Sequence, residues 1–314
     1  MALTLNSHFD WKEGIIRCVV SREGDVEKRG YVDRSALYKV VKNDAGIYEI
    51  TCELYMKNTE EIINSLNKKG LDFIGFEDPD IWADETNNTL HVYFTIPLFN
   101  KRTGNAVVHL GHAFGTDLSD LTMTQPVLME KNNCGAKEVS IAPMNKRGFR
   151  YNLVESSDHG KGYWYSTIRT VIAEDMGKNW KFGKTVFHPK KENIEWAGGH
   201  ASPGPLMSRK FIDVGEGKCL GFMNGREVDR KNGTFVKYGK FSVGLFIYNY
   251  EEGKIEWISP NYFIRDSQAK TITFASYFMD QQNGKGLLYA HVDDSFVRSY
   301  EITVEGLKKF MENK

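Results

Sequence analysis

AEDMGKNW, running from Ala173 to Trp180, carries an aspartate, a glycine and a tryptophan at its third, fifth and eighth positions. That spacing nearly reproduces the S-x-D-x-G-x-x-W box found at strand turns of some β-propellers. In such a turn the aspartate caps backbone N–H groups, the glycine supplies a permissive φ, and the tryptophan plugs a gap between blades. FGTDLSDLT, Phe114 to Thr122, is a looser version about 60 residues earlier, a spacing that suits one blade.

Around these boxes the chain reads as short β-strands. GIIRCVVS, SALYKVV, GIYEITCELYM, NTLHVYFTI, AVVHLGHAFG, YWYSTIRTVIA, KCLGFMNG, FSVGLFIYNY, ITFASYFM and GLLYAHV are rich in Val, Ile, Tyr, Phe and Thr. Turn signals such as NDAG, ETNN, RKNG, EEGK and QQNGKG separate them. Two segments read as helices. NTEEIINSLNKKG has Asn58 or Thr59 as N-cap, apolar Ile62, Ile63 and Leu66, and Gly70 as the C-terminal glycine; TVEGLKKFMENK closes the sequence. Dividing 314 residues by five gives about 63 per blade, enough for four strands each. The expectation is an all-β, five-bladed β-propeller with a few short helices, residues 1–314 forming a single catalytic domain without a low-complexity linker.

Composition narrows the partners. Lys+Arg and Asp+Glu both number 41, so the formal net charge is zero. A nucleic-acid binder needs a clustered basic surface, and an anionic membrane surface asks for the same. Neither partner is expected. The hydrophobic fraction of 41% excludes wholesale disorder. Cys18, Cys52, Cys134 and Cys219 are far apart, which suits neither a zinc site nor a disulfide framework. The first residues, MALTLNSHFDWKEG, lack an apolar leader region. The longest apolar stretch, Leu90 to Phe99, falls far short of the roughly 20 residues of a spanning helix. The expected location is the cytoplasm.

One segment concentrates acid beside such a strand: IGFEDPDIWADETNNTLHVYFTI, Ile74 to Ile96. Glu77-Asp78-Pro79, followed by His91-Val92-Tyr93-Phe94-Thr95, resembles the signature of five-bladed propeller enzymes that act on glycosides. Four further segments echo one such family in order. They are VVSRE (Val19–Glu23), CGAKEVSIAP around Lys137, WAGGHASPGPLM (Trp196–Met207) and LYAHVDDSFVRSYEIT (Leu288–Thr303). Together they resemble the β-1,2-mannoside phosphorylases and mannosyltransferase-phosphorylases. Those enzymes move mannose between mannose 1-phosphate and an oligomannoside. There are departures: Asp80 stands in place of the family's arginine, Glu138 in place of an aspartate, and Ala290-His291 where small residues are expected.

The resemblance implies an inverting reaction in which Asp78 delivers a proton to the glycosidic oxygen. The neighbouring acids Glu77 and Asp80 would raise its carboxyl through desolvation and like charge. Inorganic phosphate would be co-substrate and attack the anomeric carbon, with no metal or organic cofactor. Arg22, Lys137, Arg150 and His200 are the expected phosphate ligands, arginine because it grips phosphate with two parallel hydrogen bonds. Glu77, Asp293 (or its neighbour Asp294) and Trp82 are expected to hold sugar, and Trp196 lies near the same motifs. The implied partners are an oligosaccharide and a sugar 1-phosphate. A hydrolase of the arabinanase or xylosidase propeller type is the alternative; it needs a second carboxylate, for which Glu138, Glu155 and Glu195 are available. A non-catalytic carbohydrate-binding propeller is the third reading. His109 and His112 spell H-x-x-H, but residues three apart on a strand point to opposite faces and chelate poorly.

Overall fold

The computed structural model describes residues 2–24, 32–67, 70–100, 105–131, 134–160, 163–232 and 235–312. Contacts group the chain into two compact units, residues 1–138 with 175–180, and residues 139–174 with 181–314.

The first unit contains two meandering, mainly antiparallel sheets. One orders its strands Leu3–Leu5, Glu13–Glu23, Val32–Lys42 and Tyr48–Glu53. The other runs Glu77–Asp84, Thr89–Asn100, Asn105–Gly115 and Leu121–Met123, extended by the short strands Met56–Lys57 and Asp72–Phe73. The strand Thr89–Asn100 shows why the second sheet forms. Its even-numbered residues Leu90, Val92, Phe94, Ile96 and Leu98 all enter the unit's apolar core beside Ile15, Leu37 and Ile81. Its odd-numbered residues His91, Tyr93 and Thr95 therefore face the other way. That second face carries the chemistry described below.

The second unit holds three more sheets. The first is eight-stranded, in the order Lys137–Ser140, Arg150–Gly160, Tyr163–Ala173, His200–Leu206, Lys218–Arg226, Phe241–Asn249 and Lys254–Ile258, with Lys181–Phe187 paired to Tyr163–Ala173 off that path. Its two halves join through a single parallel pair, Ser166 with His200, and the next sheet is the two-stranded ribbon Arg230–Asn232 and Phe235–Lys237. The last is Thr273–Asp280, Lys285–Val292 and Phe296–Thr303, followed by the helix Val304–Glu312. The glycines and prolines of GGHASPGP, Gly198 to Pro205, predict a rigid loop, but most of that segment lies in His200–Leu206. It is a strand: its ladder with Lys218–Arg226 is interrupted between Pro203 and Leu206, and an irregular strand of this kind tolerates residues without an N–H. Trp196 belongs to the core of this unit, with its indole N–H on the Ser259 carbonyl at 3.0 Å, and not to a ligand surface.

The predicted helix is present as Thr59–Leu66, shorter than expected because Asn67 ends it; Gly70 adopts φ +73° three residues later. Among the described residues, no helix is long and apolar enough to cross a membrane.

Both aspartate boxes form side-chain-capped turns. Asp175 Oδ1 accepts the Gly177 N–H at 2.8 Å, and Asp117 Oδ1 accepts the Ser119 N–H at 2.6 Å. Trp180 is buried, donates its indole N–H to the Asp175 carbonyl at 2.8 Å and lies 5.1 Å from the Tyr93 ring. The glycine acts differently from the expectation. Positive φ falls on Asn179, at 59°, whereas Gly177 is not in the left-handed region and a Cβ there would stand 3.4 Å from His112. Asp175→Ala removes an exposed cap while the tryptophan anchor stays, so we expect a loss of about 1 kcal/mol in urea unfolding. An unchanged midpoint would show that Trp180 alone holds the turn.

Candidate active site

The acidic segment enters the second sheet through a β-bulge. Glu77 pairs with Thr95 and Asp80 with Tyr93, so three residues advance on one strand against two on its partner. Asp78 sits in the bulge at φ 49°, a left-handed conformation that is costly for a non-glycine residue and recurs where a strand must re-aim a side chain. The register then puts Glu77, Asp80 and Trp82 on the face shared by Thr95, Tyr93 and His91.

One guanidinium organises this turn. Arg17, on the strand Glu13–Glu23, donates Nη1 to Asp78 Oδ1 at 3.1 Å, Nη2 to Glu77 Oε1 at 2.8 Å and Nε to Ser35 Oγ at 2.9 Å. Ser35 itself is fixed by Gly75: its N–H bonds the Ile74 carbonyl at 3.1 Å, and a Cβ on Gly75 (φ +111°) would fall 1.8 Å from the Ser35 oxygen. The hydroxyl of Thr95 lies 3.5 Å from Asp78 Oδ2. The side chains of Arg17, Glu77 and Asp78 are only 12%, 16% and 4% exposed. Asp80 is treated differently by its surroundings. Desolvation raises its carboxyl to about 7, opposed only by the Ile81 backbone N–H. The raised carboxyl expected of this turn is thus found on Asp80, while Asp78 faces a cation.

The expected cations are mostly committed elsewhere. Arg22 grips Asp33 through both nitrogens, at 2.5 and 2.6 Å, so the arginine at the acidic turn is Arg17 in its place. Arg150, in the second unit, donates to the Ala142 carbonyl at 2.6 Å. Five residues of strand, about 16 Å, separate it from Glu155. Lys146, four residues before Arg150, is exposed and paired with Glu216. Lys137 begins its strand half-buried.

His200 lies in the second unit, with Nε2 3.1 Å from Glu155 Oε2 and its ring 4.9 Å from Phe241. Glu155 is 3% exposed, a buried carboxylate held by an imidazole; Glu195 is exposed. Asp293 anchors a loop: Oδ2 accepts the Lys270 N–H, and Oδ1 accepts the Thr271 and Ile272 N–H groups and the Thr271 hydroxyl. Burial works against its ionisation, but these donors outweigh it and hold the carboxyl below its usual value. Four hydrogen bonds to its two oxygens make Asp293 the anchor of the Lys270–Ile272 loop. Asp294 takes the Nδ1 side of His291 at 3.0 Å. Trp82 packs 5.2 Å from His91, further along the strand than Asp80.

The H-x-x-H residues serve separate purposes. His109 Nδ1 accepts the Glu130 N–H at 2.9 Å, and burial lowers it to about 4. His112 reaches His91 and Thr124, each at 2.9 Å, and burial lowers it to about 3.

Arg17 was missed by sequence reasoning. Its signal was present: a lone charge inside the apolar run GIIRCVV needs a buried counter-charge. The nearby VVSRE drew attention to Arg22 instead.

No family model and no curated protein matches the chain. Solved structures do. A β-1,2-mannobiose phosphorylase from Listeria innocua aligns over 90% of this chain and 70% of its own, with a TM-score of 0.63 and 13% identity. A mannose phosphorylase from Leishmania mexicana in complex with phosphate ion aligns over 95% and 80%, with a TM-score of 0.54 and 14% identity. A Bacillus subtilis arabinanase covers 95% and 92%, at 0.53 and 12%. At these identities the likeness establishes the fold, which is all-β and of the five-bladed propeller class.

Proposed function

We propose that this chain is a carbohydrate-active enzyme that transfers a glycosyl group, and more narrowly an inverting β-1,2-mannoside phosphorylase. The observation that carries the reading is the acidic turn Glu77–Asp80. It is presented by a bulge, with two carboxylates, Glu77 and Asp78, against Arg17 and a third, Asp80, raised to about 7. Glycosidic cleavage needs such a proton source, because the leaving oxygen must be protonated as its bond to carbon breaks. The likeness to phosphorylases acting on mannose supports mannoside and phosphate as substrates. Lys137 is the proposed phosphate contact, Glu77 and Trp82 the sugar contacts. Inorganic phosphate is the co-substrate.

The test is phosphate dependence. With β-1,2-mannobiose and phosphate, the protein should release mannose 1-phosphate; with mannose 1-phosphate and mannose, it should build a disaccharide. Release of free mannose alone, unaffected by phosphate, would instead support a hydrolase.

A further inference from the structure

We propose that Asp80, and not Asp78, is the proton donor of the acidic turn, and that Asp78 serves as its charged companion. This rests on the glycosyl-transfer reading and names the carboxyl that performs it. The two residues stand two apart on one strand, yet their environments are opposed. Asp78 lies in the bulge with Arg17 on Oδ1 and the Thr95 hydroxyl near Oδ2. Asp80 lies past the bulge, opposite Tyr93, with no ion-pair partner among the described residues. Tyr93 cannot easily serve it, because that hydroxyl already donates to the Met176 carbonyl at 2.9 Å. A carboxyl beside an arginine favours its charged form, and a desolvated carboxyl without a cation favours its neutral form. The value of about 7 for Asp80 agrees with that geometry. Of two such acids, the one without a cation gives the proton and the one held by the guanidinium supplies fixed charge.

In phosphorolysis the Asp80 proton passes to the glycosidic oxygen as the bond to the anomeric carbon breaks and its electron pair stays on that oxygen. A phosphate oxygen bonds the anomeric carbon from the opposite face. The proton shed by the attacking hydrogen phosphate restores Asp80, so the turnover is balanced without another reactant.

Two measurements on Asp80→Asn test this. The first is leaving-group dependence. Turnover of β-1,2-mannobiose should fall about 10²–10⁴-fold, while an aryl β-mannoside with a dinitrophenolate leaving group stays within about tenfold of wild type, since dinitrophenolate departs unprotonated. The second needs no activity. A carboxyl raised from about 3.9 in the unfolded chain to about 7 in the folded one leaves stability intact below pH 4 and lost as pH rises through 7. The variant is neutral throughout, so its melting temperature should gain on wild type between pH 4 and pH 8. A difference that stays flat over that range overturns the protonated Asp80, whatever the activity. A rising difference with both substrates lost together returns the donor role to Asp78. A rising difference in a wild type that turns over no mannoside, with or without phosphate, removes the glycosyl-transfer reading itself and the donor role with it.

Discussion

Arg17→Met should cost about 3–5 kcal/mol of folding stability, the range for removing one partner of a buried ion pair. The side chains involved are at most 16% exposed, so water cannot replace the lost donors well. The substitution keeps most of the apolar stem and removes three hydrogen bonds at once, to Asp78, Glu77 and Ser35. Two neighbouring carboxylates are then left facing each other without a cation. Urea unfolding measures the loss. If charge is the cause, adding Glu77→Gln and Asp78→Asn to Arg17→Met should recover much of it, because contacting residues are not additive. A single variant within about 0.5 kcal/mol of wild type, the range of ordinary surface changes, would remove Arg17 as the organiser of the turn.

Asp78→Asn should lower glycosyl transfer by about two to four orders of magnitude. The substitution keeps the side-chain shape in the strained bulge but discharges the carboxylate facing Arg17. A fixed negative charge beside a transition state of oxocarbenium character stabilises developing positive charge, and its removal raises the barrier. Because that contribution does not involve the leaving group, the loss should be similar for a natural mannoside and a dinitrophenyl one. This separates it from Asp80→Asn, whose loss depends on the leaving group. The assay requires a folded variant, checked by an unchanged far-ultraviolet spectrum and a cooperative melt. Turnover close to wild type in that protein would take Asp78 out of the chemistry.

Much of the architecture was legible in local pattern. The β-branched and aromatic run NTLHVYFTI announces a strand, and the aspartate boxes announce their turns, because both depend on neighbours in sequence. The strand His200–Leu206 was not legible, since prolines argue against strands until one knows how broken its ladder is. The glycine of the Ala173–Trp180 box stands outside the left-handed region, which falls on Asn179 instead, and a Cβ at Gly177 would meet His112 only at ordinary contact distance.

The candidate site divides in the same way. The sequence by itself determined that acid accumulates at Glu77–Asp80 ahead of a strand rich in β-branched and aromatic residues, since composition is a local property. It could not determine which acid holds a proton. That depends on a guanidinium 61 residues away from Asp78, on a bulge that turns one carboxylate toward it, and on the desolvation of another. Nor could it show that Arg22 is spent on Asp33, or that Asp293 closes a loop through four donors. Charge acts through space, so the partner of each ionisable group, and with it the group's chemistry, was settled only when distant strands came together.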